Sequence, residues 1–114
     1  PRISRVVTIY DQWTFLDWLD DEALFTPACE YLLVDDASRE PAPAEVATRL
    51  ARRGVRIIRL PRNQGRCVAR NTGAALARGE WLDFIDGDDR PLPLAEDPAW
   101  AGADLVHGPF AVHG

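Results

Sequence analysis

The sequence predicts an α/β fold: a mainly parallel sheet with helices on both faces. Three observations carry that expectation. Short β-branched apolar runs alternate with helix-like stretches at the spacing of βαβ units. Cap and turn residues punctuate the joins between them. Polar residues fall where the strand-like runs end, at Tyr10, at Asp35-Asp36 and at Asp86 to Asp89. A parallel sheet gathers those three points along one rim, the rim on which open α/β sheets bind their ligands.

Each element has its own justification. Ile3 to Tyr10 is a β-branched first strand. Trp13 to Phe25 reads as a helix, with Asp11 as its N-cap and Pro27 beyond its end. Glu30 to Val34 is a second apolar strand that stops at Asp35 and Asp36. Pro43 to Arg53 reads as a helix, with proline near its first turn, Glu45 and Arg49 four apart, and Gly54 at its C-terminal end. Val55 to Leu60 forms the third strand, limited by Pro61. Gly65 to Arg78 forms a third helix, closed by Gly79, with Val68, Ala75 and Leu76 as its expected apolar face. On that helical net Asn71 is expected to be partly buried, while Arg66 and Arg70 share another side. Trp81 to Ile85 is the fourth strand; Arg90 to Trp100, rich in proline, is expected to be a loop, and Leu105 to Val112 an interrupted fifth strand.

Composition bounds the possibilities. A length of 114 residues suits one domain, and 46% hydrophobic with 27% charged residues suits a packed core rather than a disordered chain. The net charge of −5 disfavours a nucleic-acid partner. Neither a run of apolar residues of membrane-spanning length nor a signal peptide occurs in the sequence. Cys29 and Cys67 are expected to be reduced, buried thiols, in keeping with a cytoplasmic location, which leaves membrane attachment through other parts open. There is no methionine, even at position 1, so a processed or cut start is expected. All 13 basic residues are arginine, which removes any mechanism that needs a side-chain amine.

The stretch Trp81-Leu-Asp-Phe-Ile-Asp-Gly-Asp-Asp89 carries the most chemistry. Three carboxylates, Asp86, Asp88 and Asp89, follow a buried strand and are broken only by a glycine. Carboxylates this close repel one another. They are tolerable on a fully solvated turn or around a divalent cation. At the end of the second strand, Asp35 and Asp36 either shape the turn with Ser38 or add to a site on the same rim.

Read together, Tyr31-Leu-Leu-Val-Asp-Asp-Ala-Ser38, Asn63-Gln-Gly65, Ala69-Arg-Asn71-Thr-Gly73, Gly79-Glu-Trp81 and Asp86-Gly-Asp-Asp89 form a recognisable succession. It resembles the nucleotide-binding half of a family 2 glycosyltransferase with the Rossmann-like GT-A fold. The resemblance implies transfer of a sugar from a nucleotide-sugar donor, usually a UDP-sugar, with inversion at the anomeric carbon. It implies that Asp36 meets the uracil, that Tyr10 packs by the base, and that Arg70 serves the nucleotide side. It also implies that Asp86 contacts ribose and that Asp86, Asp88 and Asp89 hold Mg²⁺ or Mn²⁺. Asn71 is expected to hold the acidic turn in place. The chemistry agrees, because hard, oxygen-ligated cations stabilise a departing diphosphate, whereas a zinc site wants clustered His and Cys.

Departures accompany the resemblance. The family's Pro-x-Tyr-Asn stands here as Thr8-Ile-Tyr10-Asp11. Nothing matches the family's second half, which carries the acceptor site and the general base; Glu96 and Asp97 fall in the wrong region. The chain is therefore expected to be a single domain over 1–114, truncated before the acceptor-binding half. The acceptor, whether sugar, lipid or protein, stays open, and an uncovered sheet edge leads us to expect self-association. Other classes fit less well. A receiver domain needs a lysine, and a haloacid-dehalogenase-like phosphohydrolase carries its Asp-x-Asp on the first strand. The alternative that remains is a non-catalytic GT-A-like module for nucleotide or protein binding. Trp13, Trp18, Trp81 and Trp100 are expected to pack, His107 and His113 have no partner spacing for a metal, and the arginines at 49, 52, 53, 56 and 59 read as a solvated face.

Overall fold

The structure, a computed structural model, describes residues 2–93. The expected fifth strand, Glu96, Asp97, Trp100, His107, His113 and the distal part of the proline-rich loop lie outside the described residues. Four strands appear: β1 (Ile3–Ile9), β2 (Cys29–Asp35), β3 (Arg56–Arg59) and β4 (Trp81–Asp86). They form one sheet in the order β3-β2-β1-β4, with every pair parallel. Two α-helices, α1 (Ala44–Arg52) and α2 (Arg66–Leu76), connect β2 to β3 and β3 to β4.

The order explains the two faces. Steps from β1 to β2 to β3 run one way across the sheet; the step to β4 returns past both. Right-handed crossovers then put the returning helix on the opposite face. The side chains agree. Val7, Ile9, Leu33 and Ile85 pack with Leu50 of α1 and the 13–24 connection on one face. Val6 and Val34 pack with Ala69 of α2 on the other.

The expected helix over Trp13 to Phe25 is instead three short 3₁₀ turns: Trp13–Phe15, Asp17–Asp20 and Glu22–Leu24. The chain leaves helical geometry at Leu16 (φ −87°, ψ 40°) and at Asp21 (φ −83°, ψ 100°), and the broken path buries Trp13, Leu16, Trp18, Leu19 and Leu24 together, which is not the spacing of one helical face. Asp21 reinforces the break by accepting the Ala23 N–H at 3.1 Å. Asp11 does not cap this segment; Gln12 precedes its first turn.

Helix α1 follows its sequence signals, with the Arg49 guanidinium donating to Glu45 at 2.7 Å and Gly54 at φ +67° just past the end. Helix α2 departs from expectation. Its buried residues are Ala69 and Gly73, while Val68 and Leu76 are exposed. A Cβ on Gly73 would come within 2.3 Å of Val6 Cγ1, so the helix lies on the sheet through its smallest residues. Nor does Gly79 cap it. The chain turns extended at Ala77, and Gly79 instead lies against the start of β1, where a Cβ would come within 2.7 Å of the Ser4 hydroxyl.

Two polar clusters lock the sheet. Arg5 is fully buried, stands in register between Tyr31 and Asp83, and makes an ion pair with Asp83 at 3.2 Å. It also donates to the Tyr31 hydroxyl at 2.9 Å and to the Leu92 carbonyl, so the segment after β4 is tied to the core. Burial pushes the Tyr31 hydroxyl up to about 12, against the opposing pull of Arg5. One residue away in register, on the opposite face of the sheet, Glu30 accepts from the Ser4 hydroxyl at 2.5 Å, the Arg78 N–H at 2.6 Å and Arg56 at 3.3 Å. Burial raises the Glu30 pKa, but those donors outweigh it and hold the carboxyl below the usual glutamate range.

A lowered folded-state pKa means that Glu30 contributes stability above its unfolded pKa and loses it as pH falls through the folded value. Glu30→Gln is therefore expected to lower stability at neutral pH by about 1 kcal/mol. It should also flatten the fall in stability over the acid window just below the ordinary glutamate pKa, as read by urea unfolding at stepped pH. An unchanged acid slope would show that Glu30 is not linked to folding.

The arginine face is also more engaged than expected. Arg53 donates to the Leu19 carbonyl at 2.7 Å and lies over Phe25, and Arg59 pairs with Asp35 at 2.7 Å.

Candidate functional site

The strand order reverses between β1 and β4: the connection that leaves β1 packs on one face of the sheet and α2, which leads into β4, on the other. A cleft opens outside the carboxyl ends of strands at such a point. Here it is an open cavity of about 300 Å³. Its walls come from the end of β1 (Thr8 to Tyr10, Gln12), from Asp36 after β2, from the loop into α2 (Asn63, Gly65, Arg66), and from Asp86, Gly87 and Asp88 after β4.

The acidic turn follows from local sequence. Asp89 N–H closes onto the Asp86 carbonyl at 2.9 Å. A Cβ on Gly87 would come within 2.3 Å of Gln12 Oε1 and 2.9 Å of the Thr8 carbonyl, so only glycine lets the turn lie against the β1 loop. Asp86, Asp88 and Asp89 each offer a carboxylate oxygen, all within 4.8 Å of one another. This set is all carboxylate oxygen, the donor chemistry of Mg²⁺ or Mn²⁺, and it fits such a cation.

Two arginines one helical turn apart reach Asp86 from α2. Arg70, nearly buried, donates to Oδ1 at 2.8 Å, and Arg66, mostly exposed, approaches Oδ2 at 3.4 Å. Arg70 thus stands behind the acidic turn rather than in the cleft wall.

The end of β2 is equally organised. Asp35 accepts from the Ser38 N–H at 2.8 Å, the Ser38 hydroxyl at 2.6 Å and Arg59 at 2.7 Å, so it shapes the turn. Asp36, also buried, accepts the Gln64 and Gly65 N–H groups at 2.7 and 2.9 Å, and thereby ties the loop before α2 to the sheet. Asp11 adopts φ +58° and accepts from Arg39 N–H and Nε and from Glu40 N–H. The Arg39 side-chain hydrogen bond, outweighing partial desolvation, holds Asp11 below the usual aspartate range. The Arg39 guanidinium also covers the Tyr10 ring, 5.9 Å from its centroid.

The structure therefore brings Tyr10, Asp36, Asp86 and Asp88 to one cleft, with Asp89 in the acidic set and Arg70 behind it. Asn71 does not hold the acidic turn. It is exposed, because the helix seats on Ala69 and Gly73, a face that turns Asn71 outward. For the same reason Cys67 is exposed; Cys29, at the start of β2, is only half-buried. Sequence reasoning missed Gln12 and Asn63 in the cleft wall and gave Arg66 no role there. The Asn-Gln-Gly run and the four-residue spacing of Arg66 and Arg70 were the available signals.

A doubly wound parallel sheet with an acidic turn at its switch point defines a protein of the GT-A class. The sequence pattern of "Glycosyl transferase family 2" matches residues 6–96, and the chain belongs to that family. It is 45% identical to succinoglycan biosynthesis protein ExoO of Rhizobium meliloti, over 93% of this chain and 32% of that protein. It is 35% identical to an uncharacterized glycosyltransferase, EpsJ, of Bacillus subtilis, over 78% of this chain and 26% of that protein. The chain thus spans about a third or less of the curated relatives it matches. Among solved structures, S. aureus TarS 1–349 in complex with UDP-GlcNAc superposes with a TM-score of 0.67 at 23% identity, over 77% of this chain and 27% of that one. The mannosyltransferase PcManGT of Pyrobaculum calidifontis, in complex with GDP-Man and Mn²⁺, superposes with a TM-score of 0.60 at 21% identity, over 77% and 28%. These two likenesses concern the fold.

Proposed function

We propose that this chain is the donor-binding part of an inverting, metal-dependent glycosyltransferase that takes a nucleotide-sugar, most simply a UDP-sugar. The observation that carries the reading is the cation-competent triad Asp86, Asp88 and Asp89 beside a cleft at the switch point of a parallel sheet. In this reading Tyr10 packs by the base and Asp36 accepts from it. Each Asp36 oxygen uses one acceptor position on the 64–65 loop and keeps another free. Asp86 meets the ribose, and Asp86, Asp88 and Asp89 supply the cation ligands. A bound Mg²⁺ or Mn²⁺ would offset the charge that develops on the departing diphosphate.

Charge balance supports the metal requirement. Asp86, Asp88 and Asp89 place three carboxylates within 4.8 Å of one another beside the cleft, a grouping that disfavours a diphosphate next to it. A divalent cation held there would offset that repulsion. That a relative's fold hosts UDP-GlcNAc and another hosts GDP-Man with Mn²⁺ is in keeping with this donor class. The acceptor and the general base belong, in this reading, to sequence beyond the donor-binding part.

The test is calorimetric titration of UDP into the folded protein with and without Mn²⁺, against ADP. UDP binding that needs Mn²⁺ and exceeds ADP binding by about tenfold or more is expected, a difference of roughly 1.4 kcal/mol. Failure to bind any nucleotide would leave a non-catalytic GT-A-like module for protein binding as the better reading.

A further inference from the structure

We propose that Arg66 is a ligand of the donor's diphosphate, resting on Asp86 until the donor arrives. The proposal builds on the donor-site reading above. The two arginines that face Asp86 are not equivalent. Arg70 is nearly buried and makes a 2.8 Å hydrogen bond to Oδ1, so it is a fixed part of the turn. Arg66 keeps 62% of its side chain exposed, lines the cleft, and stands 3.4 Å from Oδ2.

An exposed ion pair at that separation is weak and readily exchanged. Arg70 already holds Asp86 through Oδ1, so Arg66 is not needed to anchor that carboxylate and stands as an exchangeable guanidinium at the mouth of the cleft. A guanidinium presents a planar fork of donors that matches phosphate oxygens two at a time, which a carboxylate already paired with Arg70 cannot fully use. Arg66 therefore has a better partner in a nucleoside diphosphate than in Asp86. Moving to it also frees Oδ2 of Asp86, the oxygen that Arg70 does not hold.

The experiment compares UDP, uridine and Mn²⁺ alone as ligands of the intact protein and of Arg66→Ala and Arg66→Lys. Arg66→Ala is expected to weaken UDP binding in Mn²⁺ by about tenfold or more, as for loss of a hydrogen bond to a charged group. Uridine affinity should stay unchanged, since uridine has no phosphate. Mn²⁺ alone should bind Arg66→Ala at least as tightly as wild type, because a competing cation has gone. Arg66→Lys should recover much of the UDP affinity. Equal UDP affinity in wild type and Arg66→Ala would overturn the proposal. So would a parallel loss for uridine, or weaker binding of Mn²⁺ alone, since either marks damage to the site at large. Wild-type protein that binds no UDP would sink the donor-site reading itself, and this proposal with it.

Discussion

Asp88→Ala is expected to abolish the metal-dependent part of nucleotide binding while leaving the fold untouched. Asp88 is exposed, and none of the ion pairs or side-chain hydrogen bonds among the described residues involves it. Its removal takes away no packing and no internal partner, so the stability change should stay within about 0.5 kcal/mol. Loss of a cation ligand is another matter. UDP affinity measured in Mn²⁺ should fall on the order of 100-fold, to the value seen without metal. Asp86→Ala provides the contrast. It leaves the nearly buried Arg70 guanidinium without its 2.8 Å partner, so it should cost stability as well as affinity. Parallel thermal unfolding and calorimetry on the two variants separate these effects. If Asp88→Ala kept the full Mn²⁺ dependence of the wild type, the cation would have to sit elsewhere.

How far the sequence foretold this molecule depends on which physical rule each part obeys. The strands were legible because β-branched apolar runs such as Ile3 to Ile9 have few other uses, and the rim followed once they were taken as parallel. The acidic turn was legible because glycine between carboxylates marks a bend, and Gly87 indeed lies against Gln12. Arg5 was not legible. Charged residues are seldom buried, and what permits it here is register, which aligns Arg5 with Tyr31 and Asp83 across three strands far apart in sequence. The 13–24 segment misled because its aromatic and leucine content suits a helix, whereas its buried residues, Trp13, Leu16, Trp18, Leu19 and Leu24, do not fall on one helical face and the chain breaks at Leu16 and Asp21. The expectation for α2 failed because apolar was equated with buried. Val68 and Leu76 are larger, but the helix approaches too closely for them, and Ala69 and Gly73 take the sheet side. Arg66 and Arg70 were seen to share a helix side, yet which of them meets the cleft depends on that same seating.

The seating of α2 leads to a prediction whose sign depends on a second residue. Alanine is favoured over glycine within a helix by about 1 kcal/mol, so Gly73→Ala would stabilise an ordinary exposed helix. Here the added Cβ would meet Val6 Cγ1 at 2.3 Å and Val34 Cγ2 at 3.2 Å. Val6 is fully buried and stiff at χ1, and it cannot swing away without disturbing the central strand. Gly73→Ala is therefore expected to destabilise the protein by about 1–3 kcal/mol, despite its better helix propensity. In a domain of this size that is roughly 4–8 °C in Tm per kcal/mol. Val6→Ala removes the obstructing methyl groups and is itself destabilising through the cavity it leaves. In that background Gly73→Ala fills space and gains helix propensity, so its effect should turn neutral or stabilising. Urea unfolding of the two single variants and the double variant closes the cycle. A Gly73→Ala change equally damaging with alanine at position 6 would mean that the close approach does not set the position of the helix. The consequence reaches the site, because α2 carries both arginines that face Asp86. Lifting the helix by a methyl group should loosen the Arg70–Asp86 hydrogen bond, and UDP affinity in Mn²⁺ should fall in Gly73→Ala and recover in the double variant.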